Sequence, residues 1–466
     1  MAQDIKFGTD GWRAIIGEAY TTQNVARLSE AVALWAKKKN PHPRIAISYD
    51  CRKQGRHFAE TAAKVFVGHE IQVYLSPSFT STPAVSLAVK ELDLSCGVVI
   101  TASHNPPNYS GFKLKGSYGG PLQEEDLETI ERLIPDSPSL DFNQLSLESN
   151  FCAELDIEER YIEAIRKRFD IASIRKSGLQ IAVDSMYGSG QNIWRKLIPG
   201  IHVLRGEVNP SFDGISPEPI LKNLGVFQDF LKKNKGFDLG IANDGDADRI
   251  ALFDGKGNYI DSHHVILLLI NYLAGHQGKK GKVVTAFSSV KQIESLCAHY
   301  DLPIEIVKIG FKYAAQIMLK EEVIVSGEES GGIAVDGLIP ERDGIWSALV
   351  ILEFLQKTGK SIEQLIQEVY NMVGTFHFER RDLHIKKEKK EEVISKCEAG
   401  QYVKFGDFDI TQVEDLDGWK FWLSDNDWVM IRPSGTEPIL RVYVQSSDSK
   451  KCKEIFKNTL QALTIV

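Results

Sequence analysis

The sequence predicts an α/β protein with three similar α/β domains, each built on a mixed sheet, and a C-terminal α+β domain, all around a central cleft. Two observations lead to this prediction. A chain of 466 residues is too long for one hydrophobic core and suggests roughly three or four domains. Strand-helix-strand patterns recur along the chain and give way, near residue 372, to short alternating strands and a terminal helix.

The recurring pattern is a buried strand, an amphipathic helix and a second strand, which together indicate a βαβ unit. Its copies comprise strands at 45–50 and 71–75 around a helix at 57–67, strands at 181–184 and 202–204 around 193–197, and strands at 283–287 and 304–307 around 290–298. Open parallel sheets bind ligands beyond the carboxyl ends of their strands. We therefore expect a faint structural repeat whose strand ends converge on one cleft.

Changes in sequence character mark the expected domain boundaries. Residues 135–148 are rich in loop formers, D-G-K-G-N at 254–258 is hairpin-like, and the βαβ order stops near residue 372. The predicted domains are therefore 1–147, 148–255, 256–372 and 373–466. In the last domain, short strands are predicted at 376–385, 419–423, 428–431 and 440–445.

Composition excludes several classes of function. With 43% hydrophobic residues, 25% charged residues and a net charge of −8, the chain is an ordinary globular protein and neither a general nucleic-acid binder nor a polybasic membrane-surface protein. The N-terminus lacks the apolar core of a signal peptide, and no apolar run is long enough to span a bilayer. The six cysteines form no C-x-x-C pair, which suits a reducing cytosol. We expect a cytoplasmic protein with a small-molecule partner.

A serine follows the apolar strand that opens the stretch V-V-I-T-A-S-H-N-P-P-N-Y-S-G-F-K-L-K, residues 98–115. Asn105 and the two prolines after it hold a bend, so the hydroxyl of Ser103 can project into a cleft. An ordinary turn has the same composition. Taken alone, the motif therefore does not distinguish a nucleophile from a structural serine.

An acidic loop lies between two apolar strands in D-L-G-I-A-N-D-G-D-A-D-R-I-A-L-F-D, residues 238–254. The carboxylates of Asp244, Asp246 and Asp248 can converge if the chain is extended or looped, and such oxygen clusters suit Mg²⁺ or Ca²⁺ rather than zinc. An EF-hand is excluded because its sixth and twelfth loop positions would be Arg249 and Gly255. The alternative is a solvated acidic loop, but three like charges in five residues favour a bound magnesium ion.

Two further loops carry groups suited to a phosphorylated sugar. F-G-T-D-G-W-R near the start ends in Arg13, a cation that can face a phosphate, although Gly-Thr-Asp-Gly is also a routine turn. S-G-E-E-S-G-G at 326–332 offers Glu328 and Ser330 to neighbouring hydroxyls, while its glycines allow close approach. A structural Gly/Ser loop is the alternative for the second motif.

A last loop, I-R-P-S-G-T-E-P at 431–438, supplies a guanidinium, hydroxyls and free backbone N–H groups, the donors that a phosphate dianion needs. The candidate residues are Arg432, Ser434, Gly435 and Thr436. Nearer the centre of the chain, Lys308, Lys312 and Arg342 add positive charge, and each is also compatible with a surface role.

The five motifs follow one another along essentially the whole chain. Together, in their chain order, they resemble the α-D-phosphohexomutase family, which includes phosphoglucomutases and phosphomannomutases. The resemblance implies that Ser103 carries a phosphoryl group and that the three aspartates and one phosphate oxygen on that serine bind Mg²⁺. It places Arg13 and Arg249 beside the phosphate and assigns Glu328 and Ser330 to the sugar ring. It also assigns the sugar phosphate to residues 432–436, with Arg342 as the basic residue that precedes an Asp-Gly pair in the family.

The implied reaction moves a phosphoryl group between the 1- and 6-positions of a hexose. Phosphorylated Ser103 donates to a hexose phosphate, the bisphosphorylated sugar turns round, and its other phosphate returns to the serine, with glucose 1,6-bisphosphate as intermediate and activator. Lys113 and His104 are the candidate general base and acid. We expect the pKa of Lys113 to be lowered by Mg²⁺ and Arg13.

One departure from the family bears on the substrate. Mannomutase-type members often have His where this chain has Gly332, and phosphoglucosamine mutases usually have Gln and His at the positions of Glu329 and Gly332. The sequence therefore favours a phosphoglucomutase, with a phosphomannomutase or dual-specificity enzyme as the alternative. From other classes, a phosphosugar-binding regulator without turnover and a metal-dependent phosphatase remain open, and a monomer or weak homodimer is expected.

Overall fold

A computed structural model of the chain describes residues 4–8, 10–335, 337, 339–433 and 439–465. Within this part of the chain, four large sheets follow one another in sequence, and a small two-stranded sheet accompanies the last. None of the helices in the ranges just given is both long and apolar enough to cross a membrane.

The first sheet has the strand order β1-β5-β4-β2-β3-β6. Strands β2, β3, β4 and β6 are parallel, whereas β5 runs antiparallel between β1 and β4. Strand β6 follows the predicted boundary at residue 147 and pairs with β3 of the first sheet. The elements are β1 Trp12–Ile15, α1 Thr22–Lys39, β2 Arg44–Tyr49, α2 Gly55–Gly68, β3 Gln72–Leu75, α3 Thr82–Glu91, β4 Cys96–Ile100, β5 Tyr109–Gly116, α4 Glu124–Leu133 and β6 Cys152–Glu154.

The second sheet has the order β11-β10-β9-β7-β8. Strands β7, β8 and β9 are parallel, β10 is antiparallel to β9, and β11 is antiparallel to β10. Strands β9 and β10 are buried along their whole length, as their unbroken apolar runs predict. The elements are α5 Ile157–Arg168, α6 Ile171–Lys176, β7 Ile181–Asp184, α7 Gln191–Leu197, β8 His202–Leu204, α8 Gly225–Lys233, β9 Leu239–Asn243, β10 Ile250–Asp254 and β11 Tyr259–Ile260.

The third sheet has the order β13-β12-β14-β15, and its last strand is antiparallel to β14. Helix α12 is almost wholly buried, and the Asp343 side chain caps its N-terminus by accepting from the backbone N–H of Trp346. The elements are α9 Ser262–Ile270, β12 Lys282–Ala286, α10 Lys291–His299, β13 Ile304–Val307, α11 Phe311–Met318, β14 Val323–Gly327, β15 Ile333–Val335, α12 Gly344–Thr358 and α13 Ile362–Val373.

The fourth sheet is antiparallel, with the order β16-β22-β21-β20-β19, and β17 and β18 form the small separate sheet. Alternation along β21 and β22 puts Val429, Ile431, Val442 and Val444 into the core beneath α15. The elements are β16 His377–His384, α14 Lys387–Glu398, β17 Lys404–Phe405, β18 Phe408–Asp409, β19 Gln412–Glu414, β20 Trp419–Trp422, β21 Trp428–Pro433, β22 Ile439–Ser446 and α15 Ser449–Ala462.

The predicted fold class is confirmed: three domains with mixed α/β sheets precede an α+β domain. Each predicted βαβ unit is present, with its helix at α2, α7 or α10. One continuous core joins residues of the first, second and third domains, whereas the fourth has its own core and meets the third through an aromatic cluster around Phe287 and Trp428. The first three domains therefore pack against one another through a shared core, and the aromatic cluster links the fourth domain to the third.

Candidate active site

The predicted site motifs follow strand ends that face a common cleft. Ser103 comes after β4, the acidic loop joins β9 to β10, Glu328 follows β14, and Arg342 precedes α12. The first three lie where strands of three different sheets end, as expected for α/β sheets. The structure thus brings together side chains from three domains.

Ser103 is buried and adopts a left-handed backbone conformation, with φ of 49°. Its N–H donates to the hydroxyl oxygen of Thr101 at 2.8 Å, and its own hydroxyl donates to Asp244 Oδ2 at 2.6 Å. A Cβ at Gly245 would lie 2.5 Å from the Ser103 carbonyl oxygen, so the close approach of the two loops requires glycine there. Strained conformations of this kind concentrate at functional sites.

The three loop aspartates form a compact, buried group of carboxylates. Asp244, Asp246 and Asp248 each offer one oxygen, and these atoms lie within 4.8 Å of one another. In the described part of the chain, Oδ1 of Asp246 and Oδ1 of Asp248 have no hydrogen-bond partner. Burial, together with the charges of its two neighbours, raises the pKa of Asp244 well above its ordinary value. Orphaned oxygens and mutual repulsion are what a divalent cation would relieve, so this donor set fits Mg²⁺.

Lys113 on β5 reaches into the same group. Its Nζ lies 2.8 Å from Asp246 Oδ2, 3.0 Å from Asp248 Oδ2 and 2.8 Å from Asp10 Oδ2. Burial lowers the pKa of Lys113, but the three carboxylates outweigh burial and raise it above its ordinary value. This direction is opposite to the expected one, because the expectation took account of Arg13 and a metal ion and overlooked the carboxylates.

His104 and Arg13 lie beside the serine. The imidazole Nδ1 of His104 is 3.3 Å from Ser103 Oγ, and its Nε2 is 3.5 Å from an Arg249 guanidinium nitrogen. Burial and then the charges of Arg249 and Arg13 lower the pKa of His104 well below its ordinary value, so its ring is neutral near pH 7. Arg13, on β1, donates to the side-chain oxygen of Asn105 at 2.7 Å and therefore contacts the serine loop.

Glu328 is buried, and its carboxylate accepts from the backbone N–H of Gly310 at 2.7 Å. Ser330 is half-buried two residues further on. A Cβ at position 332 would lie 2.5 Å from Cδ of Arg342, so a larger residue there requires the arginine side chain to shift. The arginine therefore occupies the space next to the position at which other family members carry histidine.

The basic side chains occupy two separate regions. Arg342 bonds to Asp248 at 2.7 Å and also contacts Asp10, so it faces the acidic group, and Arg249 pairs with Glu218 at 3.2 Å. Arg432 lies on β21 of the fourth domain and pairs with Asp417 at 3.1 Å. Three of the predicted phosphate-loop residues, Ser434, Gly435 and Thr436, lie outside the described part of the chain.

The lysines proposed to face the cleft do not meet the acidic group. Lys312 instead donates to Glu124 of the first domain at 2.9 Å, and Lys308 is exposed. Of the three basic residues named together, Arg342 does reach the acidic group, and Lys113 joins it there.

Sequence reasoning missed three residues that organise the site. Asp10 binds Lys113 and Arg342, Arg52 bonds to the backbone of the serine loop, and Asp417 bonds both to Arg432 and to the backbone N–H of Ile309. A usable signal existed for Arg52, since D-C-R puts two opposite charges directly after the first βαβ strand. Asp10 was visible only as part of a turn, and nothing local marked Asp417.

Sequence profiles for the domains of one family match successive parts of the chain. Their descriptions are Phosphoglucomutase/phosphomannomutase, alpha/beta/alpha domains I, II and III, and the C-terminal domain of the same family, and they match residues 4–140, 159–257, 261–373 and 386–462. All four domains of the family are therefore represented, in order.

Similar proteins cover the chain from end to end. A phosphoglucomutase/phosphomannomutase of Thermococcus kodakarensis is 28% identical over 465 residues, 98% of each chain. A phosphoglucosamine mutase of Methanocaldococcus jannaschii is 29% identical over 469 residues, 98% of this chain and 97% of the relative. The crystal structure of a protein provisionally named phosphomannomutase, from Thermus thermophilus, has a TM-score of 0.87 at 28% identity and covers 100% of both chains. The chain therefore belongs to the α-D-phosphohexomutase family.

Proposed function

We propose that the protein is a Mg²⁺-dependent phosphohexomutase that interconverts hexose 1-phosphate and hexose 6-phosphate through a phosphorylated Ser103, with glucose as the preferred hexose. The observation that carries this proposal is the bond of 2.6 Å from the Ser103 hydroxyl to Asp244 inside the buried acidic group. A serine esterified there would place its phosphate next to the carboxylates that suit a divalent ion.

The chain's own residues would do most of the work of positioning. Asp244, Asp246 and Asp248 would hold Mg²⁺, which when bound neutralises charge on the phosphoryl group. Lys113 and Arg342 form ion pairs with these carboxylates, hold them in place and offset their negative charge. Because the free oxygens of Asp246 and Asp248 are not those bonded to Lys113, the lysine and a metal ion do not compete for the same atoms.

Substrate binding would use both sides of the cleft. Glu328 and Ser330 would orient the sugar hydroxyls, while Arg432 and the following residues Ser434, Gly435 and Thr436 would hold the phosphate already on the sugar. The free hydroxyl then lies in line with phosphorylated Ser103, and attack forms the bisphosphorylated sugar and a free serine. After the intermediate turns round, its other phosphate returns to Ser103, so glucose 1,6-bisphosphate also acts as activator.

His104 and Lys113 would have different roles at the reacting centre, His104 through a hydrogen bond and Lys113 through its positive charge. Because the Ser103 hydroxyl donates its proton to Asp244, the neutral His104 ring meets Ser103 Oγ through Nδ1–H at 3.3 Å and is placed to donate a hydrogen bond at the reacting centre. The Lys113 ammonium stays charged between its carboxylates and would stabilise transferred negative charge. Arg13 and Arg249 flank the serine loop and would contact the phosphate.

The sugar identity rests on the loop at 326–332. A side chain at position 332 would displace Arg342, which supports a glucose enzyme over the histidine-bearing types. Phosphoglucosamine mutase is the second candidate, because several relatives of comparable length carry that name. In this chain, however, Glu329 accepts from Ser288 and faces Arg380 at 3.6 Å, so it binds protein groups instead of ligand.

Parallel assays on glucose 1-phosphate, mannose 1-phosphate and glucosamine 1-phosphate test the proposal, each with Mg²⁺ and a trace of the matching bisphosphate. Glucose 1-phosphate should give the highest kcat/KM. Ser103→Ala should abolish turnover and keep hexose phosphate binding, whereas the exposed control Ser117→Ala should behave as wild type. Turnover by Ser103→Ala would remove the serine from the mechanism.

The same experiment separates the other classes. Binding of hexose phosphates without interconversion would indicate a regulator, and steady release of inorganic phosphate would indicate a phosphatase. Mg²⁺ should raise the Tm of the wild type by an amount that grows with the logarithm of its concentration above the dissociation constant, and Asp246→Asn should remove most of that rise. Gel filtration during the assay tests the expected monomer or weak homodimer.

A further inference from the structure

Arg52 is a buried arginine in the loop after β2, and no step of the proposed reaction uses it. Its side chain is fully enclosed, although the guanidinium is normally among the least buried groups in proteins. It also lies over the ring of Phe212 in the second domain, with 5.2 Å between the guanidinium carbon and the ring centre. A buried cation of this kind needs a reason, and its hydrogen bonds supply one.

Every N–H of the Arg52 side chain has an acceptor, and four of the five go to one loop. One terminal nitrogen donates to the carbonyls of Ser103 and Asn105, both at 2.7 Å. The other donates to the carbonyls of Pro106 at 2.7 Å and Tyr109 at 3.0 Å. The guanidinium therefore binds the main chain on both sides of the bend that presents Ser103.

Asp50 completes this arrangement from the other end. Its Oδ2 accepts from Nε of Arg52 at 3.2 Å and from the Thr101 hydroxyl at 2.6 Å. The Thr101 oxygen in turn accepts the N–H of Ser103 at 2.8 Å. Both polar groups of the Ser103 main chain are thus held, the carbonyl directly by Arg52 and the N–H through Thr101 and Asp50.

Holding is needed because Ser103 adopts an unfavourable backbone conformation. A φ of 49° is rare for residues other than glycine and persists only where surrounding contacts impose it. In this conformation the hydroxyl reaches Asp244 at 2.6 Å. If the loop relaxed, the hydroxyl would leave the acidic group, and a displacement of about 1 Å in a reacting atom can cost roughly 100-fold in rate.

We propose that Arg52 is a positioning residue that fixes the loop of residues 103–109 and thereby aims Ser103 Oγ at the acidic group. The inference rests on the proposed function for its effect on catalysis, while the contacts to the loop stand independently of it. Lysine cannot replace the arginine, because three rotating donors on one nitrogen cannot match four carbonyls held by a planar fork.

The test compares Arg52→Ala and Arg52→Lys with the matched control Arg56→Ala, an exposed arginine four residues further on. The first readout is amide hydrogen exchange of the peptide that covers residues 103–109, which needs no substrate. We expect faster exchange in that peptide in both Arg52 variants and no change in the control. Thermal unfolding identifies any variant that fails to fold, in which case Arg52→Lys carries the comparison.

The second readout is steady-state kinetics on the hexose phosphate that the wild type prefers. For Arg52→Ala we expect kcat to fall about 100-fold with KM unchanged, because Arg52 aims the serine and does not touch the sugar. Millimolar guanidinium ion should restore part of the kcat of Arg52→Ala, whereas methylammonium should not. A general loss of stability would not respond to the shape of the added cation.

Unchanged exchange in residues 103–109, or wild-type kcat in both Arg52 variants, would overturn the proposal. A kcat loss that guanidinium does not restore, accompanied by faster exchange throughout the chain, would also overturn it. Faster exchange confined to the loop, in a protein whose wild type converts no hexose phosphate, would refute the proposed function and support the contacts of Arg52 with the loop.

Discussion

Two buried lysines show how differently the same side chain behaves in two regions of this molecule. Lys113 of the acidic group and Lys420 of the fourth domain are 1% and 3% exposed. Lys113 lies among three carboxylates, which raise its pKa. Lys420 lies 4.3 Å from the ring centre of Phe287 and 4.7 Å from that of Trp428, and burial lowers its pKa from 10.5 to about 8.

The difference teaches that neighbours, and not burial alone, decide the charge of an enclosed group. Aromatic faces attract a desolvated ammonium by about 2 kcal/mol or more, which at Lys420 does not offset the loss of water. Carboxylates at hydrogen-bond distance from the ammonium do offset its loss of water. Lys113 is therefore a permanent part of a charged site, whereas Lys420 lies at the contact between the third and fourth domains and changes protonation near pH 8.

The largest expected effect comes from removing the charge in the first region. Lys113→Met leaves Asp10, Asp246 and Asp248 facing one another, so the free energy of unfolding should fall by about 3–5 kcal/mol in EDTA. Urea unfolding measures it, and the exposed control Lys53→Met should stay within about 0.5 kcal/mol of wild type. Mg²⁺ should stabilise Lys113→Met more than wild type. Equal stability of the two proteins would show that the carboxylates do not depend on the lysine.

The second prediction extends the comparison to a carboxyl group without a cation. Burial raises the pKa of Asp343 from 3.8 to about 7, while its neighbours are the Tyr161 hydroxyl and backbone N–H groups. Because the folded state holds this proton more tightly than the unfolded state, Asp343 stabilises the fold below about pH 4. That contribution is lost as the pH rises through about 7.

Asp343→Asn keeps the helix cap and cannot ionise, so it should lack this dependence. The stability of wild type relative to Asp343→Asn should fall by at most about 4 kcal/mol between pH 4 and pH 8. Chemical unfolding at several pH values measures the difference, with the exposed Asp136→Asn as control. Parallel curves for wild type and Asp343→Asn would contradict the raised pKa.

The third prediction concerns Lys420, whose removal should not destabilise the protein near pH 7, unlike the removal of Lys113. The pKa of Lys420 is lower in the folded state, so the folded protein binds fewer protons than the unfolded chain between about pH 8 and 10.5. Stability should therefore rise with pH in that window, by at most about 3 kcal/mol relative to Lys420→Met. At pH 7 Lys420→Met should be at least as stable as wild type. A clear loss of stability at pH 7 would show that the aromatic rings hold a charged lysine.

The smallest effect is expected where an ion pair is exposed. Arg56 and Glu60 are one helical turn apart on α2 and pair at 2.8 Å in solvent. Arg56→Ala should change the free energy of unfolding by only about 0.3–0.5 kcal/mol, and the change should vanish in high salt. A loss of stability that does not depend on salt would mean that this exposed ion pair contributes in the same way as the buried ones.

Much of the fold was accessible from the sequence because it rests on local patterns. Apolar runs and helical periodicity predicted the βαβ units and the antiparallel strands of the last domain, since both depend on which face of an element is buried. Sheet order was not accessible. The pairing of β6 with β3, and the core that the first three domains share, depend on contacts between residues distant in the chain.

The site shows the same division. Ser103 and the three aspartates were predicted from short motifs, because strand ends and like charges are visible in a few residues. Asp10 and Arg52 were missed as site residues because their partners are far away: Arg342 lies 332 residues from Asp10, and Ser103 lies 51 residues from Arg52. The carboxylates that raise the pKa of Lys113 were overlooked for the same reason.

By itself, the sequence determined which groups this protein can bring to its chemistry: a serine at a strand end, a run of alternating carboxylates, and loops suited to a sugar and a phosphate. Only the tertiary structure decided which of those groups meet and what charge they hold. The physical reason is that the two depend on different neighbours. Secondary structure follows from neighbours along the chain, whereas the pKa of a group or the position of a hydroxyl follows from neighbours in space.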